Sequence, residues 1–180
     1  MADARSRKSQ EAIKSALLDL LGKKPLDAVT MTELARKAAV SRSTLYAHFG
    51  NVQEVYEELV IEFNRTLQPL EMRLHCEECV VSDSRPMCVA LRDSGRYRPV
   101  VTDGRFMATL LERLRPNRFE NRTFRVYQEL GLDANLAWAA CCFQMSGCYA
   151  VALSQPESAD WPRIQRMLDA FIRGGINALR

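Results

Sequence analysis

The chain has 180 residues, 47% of them hydrophobic and 26% charged. That is the composition of a globular protein with a real core, and eight Gly and seven Pro exclude a collagen-like or linker-like chain. Net charge is +3, but residues 1–50 hold nine Lys/Arg against five Asp/Glu, while the remaining 130 hold sixteen against seventeen. A surplus confined to the first quarter suits a polyanionic partner for that quarter only.

The opening MADARSRKSQE has basic residues but no apolar run, so no secretory address is expected. A cytoplasmic location follows as an expectation, with the six cysteines as thiols.

No stretch alternates apolar with polar residues, whereas helical spacing recurs throughout, so the expected fold class is all-α. A first helix over about 5–21 carries the stripe Ile13, Ala16, Leu17, Leu20, Leu21, and Gly22 stops it. Lys23 and Lys24 in the exit turn read as solvated. Thr30 with Glu33 forms a capping box for a short second helix that buries Leu34, Ala35 and Ala38. Ser41 caps a third helix of about 41–48, with Leu45 and Phe49 inward and Gly50 closing it.

Asn51 and Glu54 cap a long fourth helix, which Pro69 interrupts. The stretch 75–105 reads as short helices joined by turns. Helices at about 104–114 and 119–130 follow, the second ended by Gly131. Residues 134–153 carry no charge. They are long enough to span a bilayer, but Asn135, Gln144 and Ser146 dilute them and the flanks lack Lys/Arg, so we expect a helix buried on most sides and no membrane partner. A last helix at about 160–178 starts behind Asp160 and gathers Ile164, Met167, Leu168, Phe171, Ile172, Ile176 and Leu179 on one face.

Three helices in the first 50 residues, the last two short and joined tightly, describe a helix-turn-helix. With Leu45 and Phe49 inside, the third helix leaves Arg42, Ser43, Thr44, Tyr46 and His48 for DNA. Thr30, Thr32, Ser41 and Asn51 stand at helix starts, where hydroxyls, amides and the N-terminal partial charge suit phosphates.

Residues 30–55, TMTELARKAAVSRSTLYAHFGNVQEV, resemble the TetR family of bacterial regulators. Thr32 with Leu34-Ala35 precedes the turn. Val40-Ser41, Thr44-Leu45-Tyr46 and His48-Phe49 follow it, and Ile13, Ala16, Leu17 and Leu18 fit upstream. The resemblance covers about residues 10–55. It implies an N-terminal three-helix DNA-binding module (1–50) and a helical C-terminal ligand-binding and dimerisation domain (51–180). It also implies a Tyr46 hydroxyl that contacts phosphate or base. Two positions depart from the family pattern. Ala39 stands where the turn usually has Gly, at a cost of about 1 kcal/mol if the residue is left-handed. Val52 replaces the usual Lys at the start of the fourth helix, so that phosphate contact passes to Asn51 or to the helix amides.

The expected function is therefore sequence-specific transcriptional regulation, by a homodimeric repressor released from a palindromic double-stranded DNA operator by a small-molecule effector, and not enzymatic. No cofactor and no metal is expected. Tyr97, Phe106, Phe124, Tyr127 and Trp138 are candidate ligand-binding residues. Ala140, Gly147, Tyr149 and Phe171 are candidate dimer residues, the small ones allowing close helix approach. Cys76-Glu77-Glu78-Cys79 beside His75 keeps two alternatives open, a thiol- or metal-responsive regulator on the same scaffold and a helical CxxC redox enzyme. A single CxxC is a weak zinc pattern, and a redox motif wants a βαβ setting.

Overall fold

Helices are the regular elements of the computed structural model, which describes residues 2–66, 87–118 and 121–179; no strand occurs among the described residues. In chain order they are α1 (Ala2–Leu21), α2 (Met31–Lys37), α3 (Arg42–His48), α4 (Val52–Thr66), α5 (Met87–Arg92), α6 (Arg98–Val101), α7 (Phe106–Leu114), α8 (Arg122–Glu129), α9 (Ala134–Ser154) and α10 (Trp161–Ala178). Short 3-10 turns stand at Leu26–Ala28 and Gly95–Tyr97. Pro69 and the His75–Cys79 cluster lie outside the described residues.

The helix starts follow local chemistry. The side chains of Thr30, Ser41, Asn121, Asp133 and Asp160 each accept a backbone N–H from the first turn they precede. Pro162 sits in the first turn of α10, where its missing N–H costs nothing. Gly131, just past α8, takes φ +90°, the left-handed stop its position called for.

The chain divides into two compact units. The first joins the residues up to Asn64 with Gly95–Leu110. In its core α1 packs on α2, α3 and α6, and Ile13, Leu17, Leu34, Leu45, Val55 and Leu59 are completely buried. Segment 95–110 is a true part of that core. Tyr97 and Phe106 place their rings 5.6 and 5.8 Å from the ring of Phe63 on α4. Arg105 forks onto both carboxylate oxygens of Asp27, at 3.0 and 2.6 Å.

The second unit takes the described residues from Arg65 to Ser94 and from Leu111 onward. There α5 and α8 pack on α9. Arg92 lies with its guanidinium 4.6 Å from the centre of the Trp161 ring and donates to the carbonyls of Gln155 and Pro156, both at 3.1 Å. This satisfies acceptors just past the end of α9 that would otherwise lack donors.

The expectation that the uncharged helix is buried on most sides is wrong. In α9 only Ala137, Cys141, Met145 and Ala152 are buried, essentially a single stripe along one side, while Leu136 is 57% and Phe143 71% exposed. The apolar face of α10 is open as well: Met167 and Phe171 are exposed and Ile176 alone of its apolar stripe is buried. A sequence apolar all round cannot say which sides the chain itself covers. By length and composition α9 could cross a membrane.

Candidate nucleic-acid interface

The helix-turn-helix is built from α2, a short turn and α3. The turn closes through the Val40 amide on the Ala35 carbonyl at 3.1 Å and the Ala39 amide on the Arg36 carbonyl at 3.3 Å. Ala39 holds φ +53°, the left-handed conformation the turn imposes even without glycine. Leu45, fully buried, and Phe49, nearly so, anchor α3 inward.

That fixes the outward side. Arg42, Ser43 and Tyr46 are exposed, Thr44 is half-buried, and Arg42 makes no ion pair among the described residues. The Ser41 hydroxyl accepts the Thr44 amide at 3.0 Å and lies 2.8 Å from the Ser43 hydroxyl and 2.7 Å from that of Thr44. Three hydroxyls thus cluster at the N-terminal turn of α3, beside amides that carry the positive end of the helix. Thr32 is exposed on the first turn of α2, and the Thr30 hydroxyl caps that helix through the Glu33 amide at 3.2 Å.

Two of the expected contact residues have other engagements. The Nδ1 of His48 lies 3.5 Å from the Gln10 Nε2 on α1, and its ring is tilted against Phe49. Asn51 is taken up by capping: its Oδ1 accepts the Glu54 amide at 2.9 Å, its Nδ2 donates to Glu54 at 3.0 Å, and the Gly50 amide donates to the same carboxylate at 2.6 Å. Glu54 therefore occupies the anion position at the start of α4. Lys24 is not simply solvated; it donates to the Ala28 carbonyl at 2.8 Å and pairs with Glu33. That pairing is the largest cause holding the Glu33 carboxyl below its ordinary value.

Elsewhere in this unit, Glu62 of α4 gathers Lys14 at 2.5 Å, Arg96 at 3.1 Å and the Tyr97 hydroxyl. Burial would push its carboxyl up, but the hydrogen bonds from Lys14 and Tyr97 outweigh it and the pKa is lowered. Lys14 behaves likewise: burial works against its charge, yet Glu11 and Glu62 raise it. Sequence reading missed Gln10, Glu62, Asp27 and Arg105. Their partners lie 34 to 78 residues away, and no local period encodes such pairs.

The other candidates fall in both units. Tyr97 and Phe106 belong to the first. Phe124, Tyr127 and Trp138 belong to the second, where the Phe124 and Trp138 rings lie 6.3 Å apart and the Tyr127 hydroxyl donates to Gln144 at 2.9 Å. Ala140, Gly147 and Phe171 line an apolar groove of about 430 Å³ between α9 and α10, with Phe143, Val151 and Ile172; Tyr149 is not among its lining residues. Cys141 is buried, and burial pushes its thiol up to about 12. No cluster of three metal-ligating His, Cys, Asp or Glu occurs among the described residues.

No curated protein matches the chain. A solved structure it resembles is the TetR family repressor AlkX from Dietzia sp., implicated in biodegradation of n-alkanes, at 19% identity over 94% of each chain and a TM-score of 0.40. Residues 13–59, which run from the buried stripe of α1 through the helix-turn-helix into α4, match the model of the bacterial regulatory proteins of the tetR family. That segment, with its capped, outward-facing α3, is similar to the N-terminal helix-turn-helix of the tetR family.

Proposed function

We propose that the chain is a transcriptional regulator of the TetR family, a cytoplasmic homodimeric repressor that reads a palindromic operator with α3 and is released from it by a small-molecule effector. The division of labour is residues 1–50 for DNA and 51–180 for effector and partner. The observation that carries the DNA reading is the outward side of α3, where an exposed Arg42, the Ser41–Ser43–Thr44 hydroxyls and an exposed Tyr46 share the helix's first turn and a half. Arg suits bidentate contact with guanine, and the hydroxyls suit phosphate.

The dimer reading is supported by the open groove between α9 and α10. Its lining is apolar, and Phe143 and Phe171 at 71% and 65% exposure are aromatic anchors without a seat among the described residues. A two-fold axis there would let the same face cover itself in a four-helix interface. Effector binding is assigned to the aromatic group Phe124, Tyr127 and Trp138, whose Tyr127–Gln144 pair offers a polar anchor beside an apolar wall.

The test is selection of bound sequences from random duplexes, followed by the variants Arg42→Ala and Tyr46→Ala. A palindromic consensus is expected. Arg42→Ala should weaken its binding by about 1–3 kcal/mol and relax one position. Parental affinity in both variants would remove α3 as the reader, and a compound screen that finds nothing able to release the operator would leave a constitutive binder.

A further inference from the structure

We propose that the effector is an uncharged, apolar molecule bearing one hydrogen-bond acceptor, that it seats against Tyr127 and Gln144 in the groove between α9 and α10, and that it releases the operator by displacing the partner chain from that groove. The proposal rests on the dimer and effector readings above and joins them into one equilibrium.

Two helices of the same pattern make the groove. Its lining falls on α9 at Ala140 and 3, 4, 7, 8 and 11 residues further on, and on α10 at Leu168 and the same steps. Such steps keep to one side of a helix. The seventh step is a glycine on each, Gly147 and Gly175, and a Cβ placed on either would meet nothing within 4 Å. The space measures about 430 Å³, inside the range of small-molecule sites, roughly 300–1,000 Å³. None of the lining residues is Asp, Glu, Lys, Arg or His. A charged ligand would therefore lose its hydration with no counter-charge in its place.

The polar part of the lining has a direction. Of the aromatic group given to the effector, Tyr127 lines the groove, whereas Phe124 and Trp138 do not. Tyr127 is 7% exposed, and its hydroxyl donates to the Gln144 Oε1 at 2.9 Å. Burial above all, then the thiols of Cys141 and Cys148, raise the pKa of the phenol, so it stays a donor. That bond turns the amide. Oε1 is taken, while Nε2 carries two N–H groups with no hydrogen bond among the described residues. A carbonyl, ether or hydroxyl oxygen on a ligand would accept from it. The exposed part of the lining, Phe143 and Phe171, is the pair that supplies the anchors of the dimer. A molecule lying on Tyr127 between them takes the space the partner needs, and linkage then requires each to weaken the other.

The experiment uses the full-length chain and three probes of one shape: 2-acetylnaphthalene, which is neutral and has an acceptor, 2-naphthoate, its charged analogue, and naphthalene, which has no acceptor. On protein dilute enough to be monomeric, the ketone should bind about tenfold more tightly than naphthalene, the worth of one buried hydrogen bond. Naphthoate should bind more weakly than both. Gln144→Leu keeps helix propensity and should bind ketone and naphthalene alike. Tyr127→Phe frees the amide to turn and should lose part of the preference. Sedimentation equilibrium reads the displacement. Ketone at about ten times its dissociation constant should raise the dissociation constant of the dimer about a hundredfold, since two chains must each empty a groove. Operator release should track the loss of dimer. A ketone that does not bind, naphthoate as tight as the ketone, or a preference that survives in Gln144→Leu would overturn the assigned seat. A ketone that binds while the dimer constant stays at its parental value would overturn displacement and leave the dimer reading standing. A parent that is monomeric without any probe would overturn displacement and the dimer reading together.

Discussion

The unit around α1, α3 and α4 and the face formed by α9 and α10 handle apolar surface in opposite ways. In the first, the apolar stripe is sealed inside, and the rim is laced with ion pairs such as Lys14–Glu62, Lys37–Asp19 and Arg105–Asp27. What it leaves outward is polar and cationic. On α9 and α10 the outward side is Phe143, Met167, Phe171 and Leu179, with no charge along the whole of α9. A surface finished with charge is complete within one chain and solicits a charged partner. A surface finished with phenylalanine is incomplete in water, since apolar area left exposed forfeits roughly 25 cal/mol per Å².

The contrast can be broken most forcefully from the sealed side. Leu45→Ala empties a completely buried position and should cost about 2–5 kcal/mol, read from the denaturant midpoint. A loss under about 1 kcal/mol would mean that α3 is not held from inside. On the open side, Phe171→Glu should leave helicity intact but weaken self-association by about 2–4 kcal/mol. Sedimentation at micromolar concentration should then show monomers where the parent shows dimers. A monomeric parent would end the idea that this face covers itself.

Smaller effects sharpen the same comparison. Ala39→Gly relieves the left-handed alanine in the turn and should raise stability by about 0.5–1 kcal/mol, the relief being partly offset by the freer unfolded chain. A melting temperature that falls would contradict that account.

The smallest effect is one of pH. Glu62 titrates below its ordinary value of 4.5 in the folded chain, so its contribution is present above that value and fades as pH falls through the lower folded one. Glu62→Gln should therefore cost stability near neutrality and lose the difference from the parent in acid. Denaturant midpoints from neutral pH down through the carboxylate range that run parallel for the two proteins would show that Glu62 has no such role.

Much of this was legible in the sequence, because much of it is local. Capping pairs such as Ser41–Thr44 and Asn51–Glu54 are three residues apart, and the stripe through Ile13 and Leu17 repeats with the helix itself. The fold class and the helix-turn-helix follow from such signals. His48 shows the limit: its place at the end of α3 suggests DNA, but its ring lies beside Gln10, 38 residues earlier. In α9 the difficulty is different. Hydrophobicity distributed all round a helix has no direction, so its one buried stripe through Ala137, Cys141 and Met145 was hidden among equally apolar neighbours.

Segment 95–110 bears on how this protein is made and how it can be cut. Phe63 of α4 receives Tyr97 and Phe106, and Asp27 waits for Arg105, 78 residues downstream. During synthesis the helix-turn-helix emerges long before the side chains that complete its core. Until residue 110 clears the ribosome it lacks part of its native packing, and its most distant pairings form last. Transplanting residues 1–50, or even 1–66, onto another body would thus carry over a helix-turn-helix with an unfilled flank; a chimera that retains 95–110 alongside it keeps the matching surface.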